Sequence, residues 1–401
     1  MSMKNQEQLF SSNPELNKHI HNPSLVIIHN TLEDGANEET IGFEVRNAIN
    51  NNIRIASCEF KKDYIFDKEK MTLKIARTFN KSFTLDRQTN AIFRGGIMSK
   101  SEYCKFYDEC LDNGLRLVNN PEQSEFVQSF EAYYPYIESF TFRSVVVNPD
   151  FDIIDIFTYP EIRKKFKEMI GTVMLEQKWE NTFVRFDNMS LKNEARLQTI
   201  YLNDELSKCN QSEHVDYIAA NVISTFDDID RYINLIIDGM NINDMNYGHN
   251  FMFHFPLILR EYKKPKYIQG LANQENILRR VSNEYRTFVY KGEVVDVASY
   301  WTKRIKFDDD IRLSINDRIE DVRYLSQQAA ENISKAPNAP DFYSLDVLEL
   351  SNGTLKVVEI NEGQNSGIYS SYLDKFYRGF GEDINLVTKL ALSKTALSHA
   401  H

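Results

Sequence analysis

Short apolar runs alternate with stretches of helical periodicity in the first third of the chain. An apolar run of four to eight residues is typical of a buried strand, whereas apolar residues three or four positions apart indicate a helix. The strand-like runs are Leu25–His29, Ile53–Cys58 and Ala91–Phe93, and the helical stretches are Glu38–Asn50 and Ser99–Asn113. Because strands alternate with helices, the pattern predicts a small α/β layer over residues 24–122.

The rest of the chain divides into a mixed middle region and a strand-rich last third. The middle region predicts helices at Ser124–Tyr134 and Pro160–Ile170, strands at Phe140–Val147 and Thr182–Phe186, and an inserted helical piece within the Asn- and Asp-rich residues 200–250. The last third predicts a strand at Phe255–Tyr262, a hairpin at 284–301 around Gly292, a long helix or helix pair at Asp310–Ala336 and a hairpin at 342–361. The second hairpin carries Asn352-Gly353, a strong two-residue turn signal.

Composition and charge narrow the classes of protein that fit this pattern. Hydrophobic residues make up 42% of the chain and the formal net charge is −11, so we predict a globular protein that does not bind nucleic acid or anionic membranes in general. The four cysteines form no CxxC pair, and residues 1–23 form a polar leader without an apolar signal region. These features, with no apolar run long enough to cross a bilayer, predict reduced thiols and a cytoplasmic location.

The second hairpin carries the clearest candidate chemistry. Asp346 lies on its first strand, and Glu359 and Asn361 lie two positions apart on its second, so the latter two share a face. With suitable register Asp346 joins them across the hairpin. Two carboxylates and an amide oxygen form a hard oxygen site that suits Mg²⁺ bound to nucleotide phosphates. The alternative is a polar strand that faces solvent.

Cationic residues elsewhere in the chain complement this candidate metal site. Arg286 opens the preceding hairpin, where a guanidinium group can bind a phosphoryl group or a carboxylate in a bidentate way. Arg185 and Lys192 flank a polar segment after the strand Thr182–Phe186, and they suit nucleotide phosphates. The alternatives are a surface cross-strand ion pair for Arg286 and a solvated face for the other two.

These residues lie in segments that resemble the ATP-grasp superfamily. The segment SLDVLELSNGTLKVVEINEGQNSG (344–367) is similar to the end of an ATP-grasp catalytic domain, with an acidic residue on one strand and Glu-x-Asn on the next. NEYRTFVYKGEVVDVASYW (283–301) resembles the family's Glu-x-Arg hairpin, and LILREY (257–262) resembles its hinge strand. Arg94 in AIFRGG, with Arg185 and Lys192, resembles the clade named for an arginine and two lysines.

The resemblance implies a role for each of these residues. Asp346, Glu359 and Asn361 would bind one or two Mg²⁺ ions. ATP would be held by Arg185 and Lys192 at its phosphates and by Arg260, Glu261 and Tyr262 at its adenine. Arg286 would act catalytically on the γ-phosphoryl group or an acyl-phosphate, and Arg94 would contribute from the front domain to the acceptor site. Arg185 stands where the family usually has a lysine.

The fold that the resemblance implies is α/β, with two ATP-grasp α+β lobes that hold the nucleotide. A small α/β pre-ATP-grasp domain (24–122) would precede a small lobe (123–254) with its insertion near 200–250, and a catalytic lobe (255–401). The implied activity is ATP- and Mg²⁺-dependent joining of a carboxylate to an amine through an acyl-phosphate, with a small molecule, an amino acid or a peptide or protein end as acceptor. The alternatives are a kinase of the same fold and a non-catalytic nucleotide-binding module.

Overall fold

The structure is a computed structural model, and it describes residues 20–30, 44–45, 48–49, 53–67, 72–81, 83–96, 98–187, 222–234, 256–272, 278–302, 305–364 and 366. Its strands are β1 (Ile20–His21), β2 (Leu25–Asn30), β3 (Ile55–Asp67), β4 (Thr72–Lys81), β5 (Phe83–Thr84), β6 (Thr89–Phe93), β7 (Leu115–Leu117), β8 (Ser144–Val147), β9 (Thr182–Phe186), β10 (Val222–Ile223), β11 (Leu257–Glu261), β12 (Tyr267–Ala272), β13 (Leu278–Ser282), β14 (Glu284–Tyr290), β15 (Glu293–Ser299), β16 (Ile305–Lys306), β17 (Phe342–Glu349) and β18 (Leu355–Glu362). Its helices are α1 (Lys100–Asp112), α2 (Pro121–Gln128), α3 (Phe130–Ile137), α4 (Ile153–Thr158), α5 (Pro160–Gln177), α6 (Asp309–Asp317) and α7 (Ile319–Ile333).

The N-terminal sheet has the strand order β4-β3-β2-β6-β7. β2 pairs in parallel with β3 and β6, and β6 pairs in parallel with β7. Because both faces of a parallel sheet are covered, β2 is apolar and fully buried from Leu25 to Ile28. The α/β layer predicted for this region is present, and residues 44–45 and 48–49 of the predicted helix Glu38–Asn50 are helical. The antiparallel hairpin of β3 with β4 was not predicted.

The predicted helix Ser124–Tyr134 is instead two helices, α2 and α3, that meet at Ser129. Ser129 adopts an extended conformation with φ −105° and ψ 113°, and its hydroxyl accepts a hydrogen bond from the amide of Ala132. A serine in this position caps the next helix, because it satisfies an amide that has no partner within the helix. Both helices contribute to one hydrophobic core, with Phe126 of α2 and Phe130 of α3 in the same cluster.

The predicted strand Phe140–Val147 begins only at Ser144. The earlier residues of the predicted strand bond to β18 of a different sheet: the carbonyl of Phe140 accepts from the amide of Val357 at 2.9 Å, and the hydroxyl of Thr141 donates to the carbonyl of Val357 at 2.7 Å. This segment therefore joins two sheets, because its first residues are hydrogen-bonded to one and its last to the other.

The small-lobe sheet has the order β10-β9-β11-β8, and every pairing within it is antiparallel. One face packs against α5, whose Phe166 and Ile170 lie in a cluster with Val184 and Leu257 of the sheet. On the opposite face, Ile258 packs in a cluster with residues of α3. Of the predicted insertion, residues 222–234 lie within the described part of the chain, and residues 226–234 are helical.

The catalytic sheet, named like the small-lobe sheet after the lobe that the resemblance implies, has the order β15-β14-β17-β18, again with antiparallel pairings throughout. Its core face packs against α7, with Val322 and Ala329 in one cluster with Tyr285 and Val347. Its opposite face carries Phe288 and Phe342 at one end, where they pack against Ile27 and Ile92 of the N-terminal sheet. The remainder of this second face carries the polar side chains of the candidate site.

Glycines at both hairpin turns of this sheet take left-handed conformations. Gly292 follows Lys291 between β14 and β15, with φ of +81° and +50° respectively, and Gly353 lies between β17 and β18 with φ +81°. Glycine adopts this conformation at little cost because it has no Cβ. Both hairpins therefore turn where the sequence predicted. The predicted long helical segment Asp310–Ala336 is the helix pair α6 and α7, joined at Arg318.

Two further sequence predictions can be compared with the described residues. Cys58, Cys104 and Cys110 are free thiols, and Cys209 lies outside those residues. None of the helices that the structure describes has the length and hydropathy to cross a membrane. A three-stranded sheet of β13, β12 and β16, which the sequence did not predict, adjoins the catalytic sheet.

Candidate active site

Four polar side chains share one face of the catalytic sheet, and three of them form a row across it. Arg286 of β14 lies directly opposite Asp346 of β17, which lies directly opposite Glu359 of β18. Residues directly opposite each other in an antiparallel pair project from the same face. Asn361 lies two positions beyond Glu359 on that face and pairs with Ser344. The register that the sequence analysis required for Asp346 to join Glu359 and Asn361 is the one observed.

A β-bulge at Val358 sets the register of β18. Asp346 pairs with Glu359, whereas its neighbour Val347 pairs with Val357, so Val358 is an extra residue. Val357 consequently lies in the core cluster although it is only two positions from Glu359, which faces the site. The bulge allows β18 to place Val357 in the core and both polar residues on the opposite face.

Asp346 is held by a two-pronged ion pair with Arg286. Nε of Arg286 donates to Oδ1 of Asp346 at 2.7 Å and Nη2 donates to Oδ2 at 2.6 Å. Both residues are buried, with 3% and 4% of their surfaces exposed. The guanidinium also lies 4.8 Å from the ring centroid of Tyr300, a cation–π contact that fixes its plane. The cross-strand ion pair left open by the sequence is therefore present, and it is buried at the site.

Glu359 is paired with a cation from the other lobe. Nη1 of Arg185, on β9 of the small-lobe sheet, donates to Oε2 of Glu359 at 2.5 Å. Burial by itself would raise the pKa of Glu359, but the Arg185 guanidinium, the hydrogen bond from Asn361 and the nearby Arg286 hold this pKa below its ordinary value. Glu359 is therefore a carboxylate that stays ionised although it is buried.

Asn361 joins the two carboxylates. Its Nδ2 donates to Oδ2 of Asp346 at 3.3 Å and to Oε1 of Glu359 at 3.0 Å. The two carboxylates and the amide are therefore in contact, and their oxygens are a donor set that fits Mg²⁺, which needs few protein ligands. The site has two carboxylates, and no group of three or more His, Cys, Asp or Glu side chains in the described part of the chain is arranged to hold a metal ion.

The structure places Arg260 away from the adenine position that the resemblance implied for it. Its side chain lies between the lobes with 2% of its surface exposed, where Nη1 donates to the carbonyl of the bulge residue Val358. The guanidinium packs over the ring of Phe130, with its carbon 4.7 Å from the centroid. Burial, and then the positive charge of Arg185, lowers the pKa of Arg260 to about 10. The Arg260 side chain therefore packs against β18 through the Val358 carbonyl, and it projects from the face of β11 opposite to that of Glu261.

Glu261 lies on the opposite face of β11 and is held by two cations. Arg143 donates to its carboxylate in a bidentate way, at 3.0 Å from Nε and 2.9 Å from Nη2, and Nζ of Lys263 lies 2.7 Å away. The hydrogen bond from Arg143, opposed by burial and reinforced by Lys263, lowers the pKa of Glu261 to about 2. Tyr262 donates its amide to the carbonyl of Asn181, which ties the hinge to the small lobe.

The remaining predicted residues lie apart from this cluster. Arg94 follows β6 at the end of the N-terminal sheet and contacts the loop after β18, where its Nη1 donates to the carbonyls of Gly363 and Gln364. Lys192 lies outside the described residues. Asp346, Glu359, Asn361, Arg286 and Arg185 thus come together, whereas Arg94, Arg260 and Glu261 lie around them.

The sequence analysis assigned no role to two residues near Arg286, namely Tyr300 and Glu284. Tyr300 lies at the end of β15, and its amide donates to the carbonyl of Glu284. Glu284 lies two positions before Arg286 and therefore shares its face, and its Oε1 accepts a hydrogen bond from the Ser282 hydroxyl at 2.6 Å. The signal for both was the two-residue alternation of the first hairpin, which aligns them with Arg286.

Glu284 predicts a measurable pH dependence of stability. Burial raises its pKa from 4.5 to about 7, and the negative charges of Asp346 and Glu359 act in the same direction. The folded protein therefore holds a proton that the unfolded chain releases, so this group's contribution to stability falls as the pH rises from about 4.5 to about 7. Glu284→Gln lacks this titrating group, so its stability should not show this loss. The difference in free energy of unfolding, variant minus wild type, should therefore rise by about 1–3 kcal/mol between pH 5 and pH 8.

The measurement is denaturant-induced unfolding of both proteins across that pH range. Glu331→Gln is the matched control, because Glu331 is an exposed carboxylate on α7 and its replacement should leave the pH profile unchanged. Parallel profiles for wild type and Glu284→Gln would show that Glu284 is ionised throughout this range.

The family comparison is specific to the strand-rich part of the chain. Residues 245–379 match the model of an ATP-grasp domain, family 3 of the clade named for an arginine and two lysines. That segment contains the hinge strand, both hairpins and the proposed metal ligands, whereas Arg94, Arg185 and Lys192 precede it. No curated protein matches the sequence.

Solved structures match the chain at low sequence identity. D-alanyl-alanine synthetase A from Vibrio cholerae is 10% identical with a TM-score of 0.45, covering 88% of this chain and 92% of its own. D-cycloserine synthetase DcsG is 10% identical with a TM-score of 0.48, covering 90% and 99%. The ATP-grasp ligase PsnB, solved with its minimal precursor, Mg and ADP, is 9% identical with a TM-score of 0.37, covering 88% and 96%. Identities this low carry over neither substrates nor residue roles.

The family match and the architecture agree with each other. The matched segment contains the hairpin whose two carboxylates and amide meet on one face, and the small-lobe sheet supplies an arginine to that face. The chain has an ATP-grasp fold, and its residues 245–379 match the ATP-grasp domain of the clade named for an arginine and two lysines.

Proposed function

We propose that the protein is an ATP- and Mg²⁺-dependent ligase that joins a carboxylate to an amine through an acyl-phosphate and releases ADP and phosphate. The observation that carries this proposal is the buried cluster in which Asp346, Glu359 and Asn361 meet Arg286 from the same sheet and Arg185 from the other lobe. Carboxylates that can hold a divalent cation, beside arginines, are what a site needs, because the cation and the arginines would neutralise the transferring phosphates.

The residues of the cluster take distinct roles in this proposal. Asp346, Glu359 and Asn361 would hold one or two Mg²⁺ ions, which supply positive charge to the phosphates. Arg185 would turn from Glu359 to the α- and β-phosphates, together with Lys192 from the segment that follows β9. Arg286 would shift from Asp346 to the transferring phosphoryl group, because its fork fits phosphate as well as carboxylate.

The hinge would hold the adenine between the lobes. Glu261 and Tyr262 lie where β11 leaves the small-lobe sheet, immediately before the chain enters the catalytic lobe. Arg143 and Lys263 fix the carboxylate of Glu261, so this group would present a stable acceptor to the nucleotide. Arg260 would contribute indirectly, by supporting the bulge of β18 through Val358.

The chemistry requires positioning and charge compensation. A carboxylate oxygen of the substrate attacks the γ-phosphorus, the bond to the ADP oxygen breaks, and an acyl-phosphate forms. The nitrogen of an amine then attacks the acyl carbon, the carbon–oxygen bond to phosphate breaks, and the amine loses a proton. The acceptor would be a small molecule, an amino acid or the end of a peptide or protein.

Hydroxylamine provides the test of this function. With ATP, Mg²⁺ and a pool of amino acids, peptides and other carboxylates, we expect the protein to form ADP, free phosphate and a hydroxamate in equal amounts. A hydroxamate forms when hydroxylamine attacks the activated acyl group, so its formation shows that this group was made. The assay can therefore be run without knowing the natural amine. Formation of ADP without free phosphate or hydroxamate would instead indicate phosphorylation of an alcohol. Failure to bind Mg²⁺ and ATP at all would exclude both reactions.

A further inference from the structure

We propose that Arg94 is a positioning residue through which the N-terminal sheet holds the two metal-binding strands in place, and that it acts without contacting the acceptor. For the consequences on turnover the proposal rests on the function proposed above. Its structural part, that Arg94 anchors Gly363 and Gln364, is independent of that function. A second anchor from the same sheet acts together with Arg94.

The guanidinium of Arg94 is engaged on all three nitrogens. Nε donates to Oε2 of Glu44 at 3.1 Å, Nη2 lies 2.8 Å from Oε1 of the same carboxylate, and Nη1 donates to the carbonyls of Gly363 at 2.7 Å and Gln364 at 2.6 Å. The Arg94 side chain is 7% exposed and that of Glu44 is 0% exposed. A planar guanidinium fork can join a carboxylate to two carbonyls in this way, and a lysine cannot.

Arg94 occupies the point of the N-terminal sheet where a ligand would ordinarily bind. β2 leads to β3 on one side, and the chain then crosses over to β6 on the other side of β2. Open α/β sheets bind ligands beyond the carboxyl ends of the strands at such a switch point. Here Arg94 follows directly after β6, with its amide bonded to the carbonyl of Ile28, and the position beyond it is taken by the chain's own residues 363 and 364.

A second anchor holds the start of β17. Asn119, which follows β7 and is fully buried, donates from Nδ2 to the carbonyl of Phe342 at 2.7 Å and accepts from the amide of Phe342 at 3.0 Å. Its own carbonyl accepts from the hydroxyl of Tyr103 at 2.8 Å, and that hydroxyl accepts from Nε2 of Gln364 at 2.9 Å. The two anchors are therefore linked through Gln364.

The anchored backbone is continuous with the proposed metal ligands. Gly363 lies two residues after Asn361 on β18, and Phe342 lies four residues before Asp346 on β17. Gly363 also packs directly on the ring of Phe342, where an added Cβ would lie 2.7 Å from a ring carbon. Because a metal site tolerates displacements of only a fraction of an ångström, releasing these anchors should disturb the ligands although none of them is removed.

The test compares three variants by hydrogen exchange of the backbone amides. Arg94→Gln/Glu44→Gln removes both buried charges together, so that neither is left unpaired. Arg94→Lys keeps the charge and loses the fork. Arg116→Gln is the control, because Arg116 lies on the neighbouring strand β7 and is an exposed arginine that bonds to Asn90.

In the double variant we expect amide exchange in residues 359–364 to accelerate about tenfold or more. Arg94→Lys should show a smaller acceleration. Exchange in residues 182–186 of the small lobe should be unchanged in both variants, and the Arg116→Gln protein should exchange like wild type. Affinity for a non-hydrolysable ATP analogue with Mg²⁺ should fall about tenfold in parallel. In the hydroxamate assay kcat should fall while KM for the carboxylate and for hydroxylamine stays constant.

Two results would overturn the proposal. Unchanged exchange in residues 359–364 of the double variant would show that Arg94 does not anchor this segment. Normal exchange with a raised KM for the carboxylate would show that Arg94 binds substrate. If the protein has no ligase activity, the exchange measurement still decides the structural part, so failure of the proposed function is distinguishable from failure of this inference.

Discussion

Replacing Glu359 with glutamine is expected to reduce ATP turnover by about 10²–10³-fold, the scale on which enzymes lose activity when a transition-state charge contact is removed. Glutamine keeps the size and one oxygen of the side chain but loses the negative charge that faces Arg185 and Asn361. Mg²⁺-dependent binding of a non-hydrolysable ATP analogue should weaken with it. ADP release and calorimetric titration are the two measurements.

Glu349→Gln is the matched control for this prediction. Glu349 ends β17, is as buried as Glu359 at 3% against 5% exposure, and is also paired with cations, Lys266 at 3.1 Å and Arg318 at 3.4 Å. Glu349 differs from Glu359 in position, because Lys266 lies shortly after the hinge strand and Arg318 lies at the junction of α6 and α7. Turnover should survive in Glu349→Gln at temperatures where both variants are folded. Equal loss in both, or full activity in Glu359→Gln, would contradict the assignment of the site.

Replacing Arg286 with alanine is expected to lower the free energy of unfolding of the catalytic lobe by about 3–5 kcal/mol, the usual cost of removing one partner of a buried ion pair. The carboxylate of Asp346 would be left buried after losing two short hydrogen bonds, and Tyr300 would lose the guanidinium stacked on its ring. The free energy of unfolding of Arg286→Lys should lie between those of wild type and Arg286→Ala, because an ammonium group retains the charge but cannot form the paired contact.

A double-mutant cycle with Asp346→Ala separates the ion pair from other effects of the change. If the pair carries the loss, Arg286→Ala/Asp346→Ala should be less destabilised than the sum of the two single variants. Trp301, whose indole donates to the carbonyl of Ser282, provides a fluorescence signal in the catalytic lobe, and Trp179 provides one in the small lobe. Strict additivity of the two single effects would mean that the pair contributes no coupling energy.

The catalytic hairpins could be predicted from the sequence because their information is local. Two-residue alternation assigns the faces of β17 and β18, and Asn352-Gly353 places the turn between them, with Gly353 in the left-handed conformation. The position of the turn determines which residues lie opposite each other, so the proximity of Asp346 and Glu359 could be predicted. The strands of the N-terminal sheet were likewise visible as apolar runs.

The bulge at Val358 and the position of Arg260 were not predictable in this way. Alternation alone places Val357 and Glu359 on one face, whereas the bulge separates them and Val357 bonds to the Phe140–Thr141 segment of the chain. Arg260 belongs to a hinge strand whose two faces are covered by different lobes, so its side chain is directed by α3 and β18. The contacts that decide both features join residues 98 and 216 positions apart in the chain.

The sequence by itself determined the elements, the turns and the acidic hairpin, because each depends on the preferences of neighbouring residues. The tertiary structure decided which cations complete the site: Arg286 pairs with Asp346 across one sheet, Arg185 reaches Glu359 from another, and Arg94 engages the loop beyond them. The reason is physical. An arginine's partner is chosen by the geometry of packed sheets, where a buried charge must find an opposite charge, and this choice leaves no local pattern in the chain.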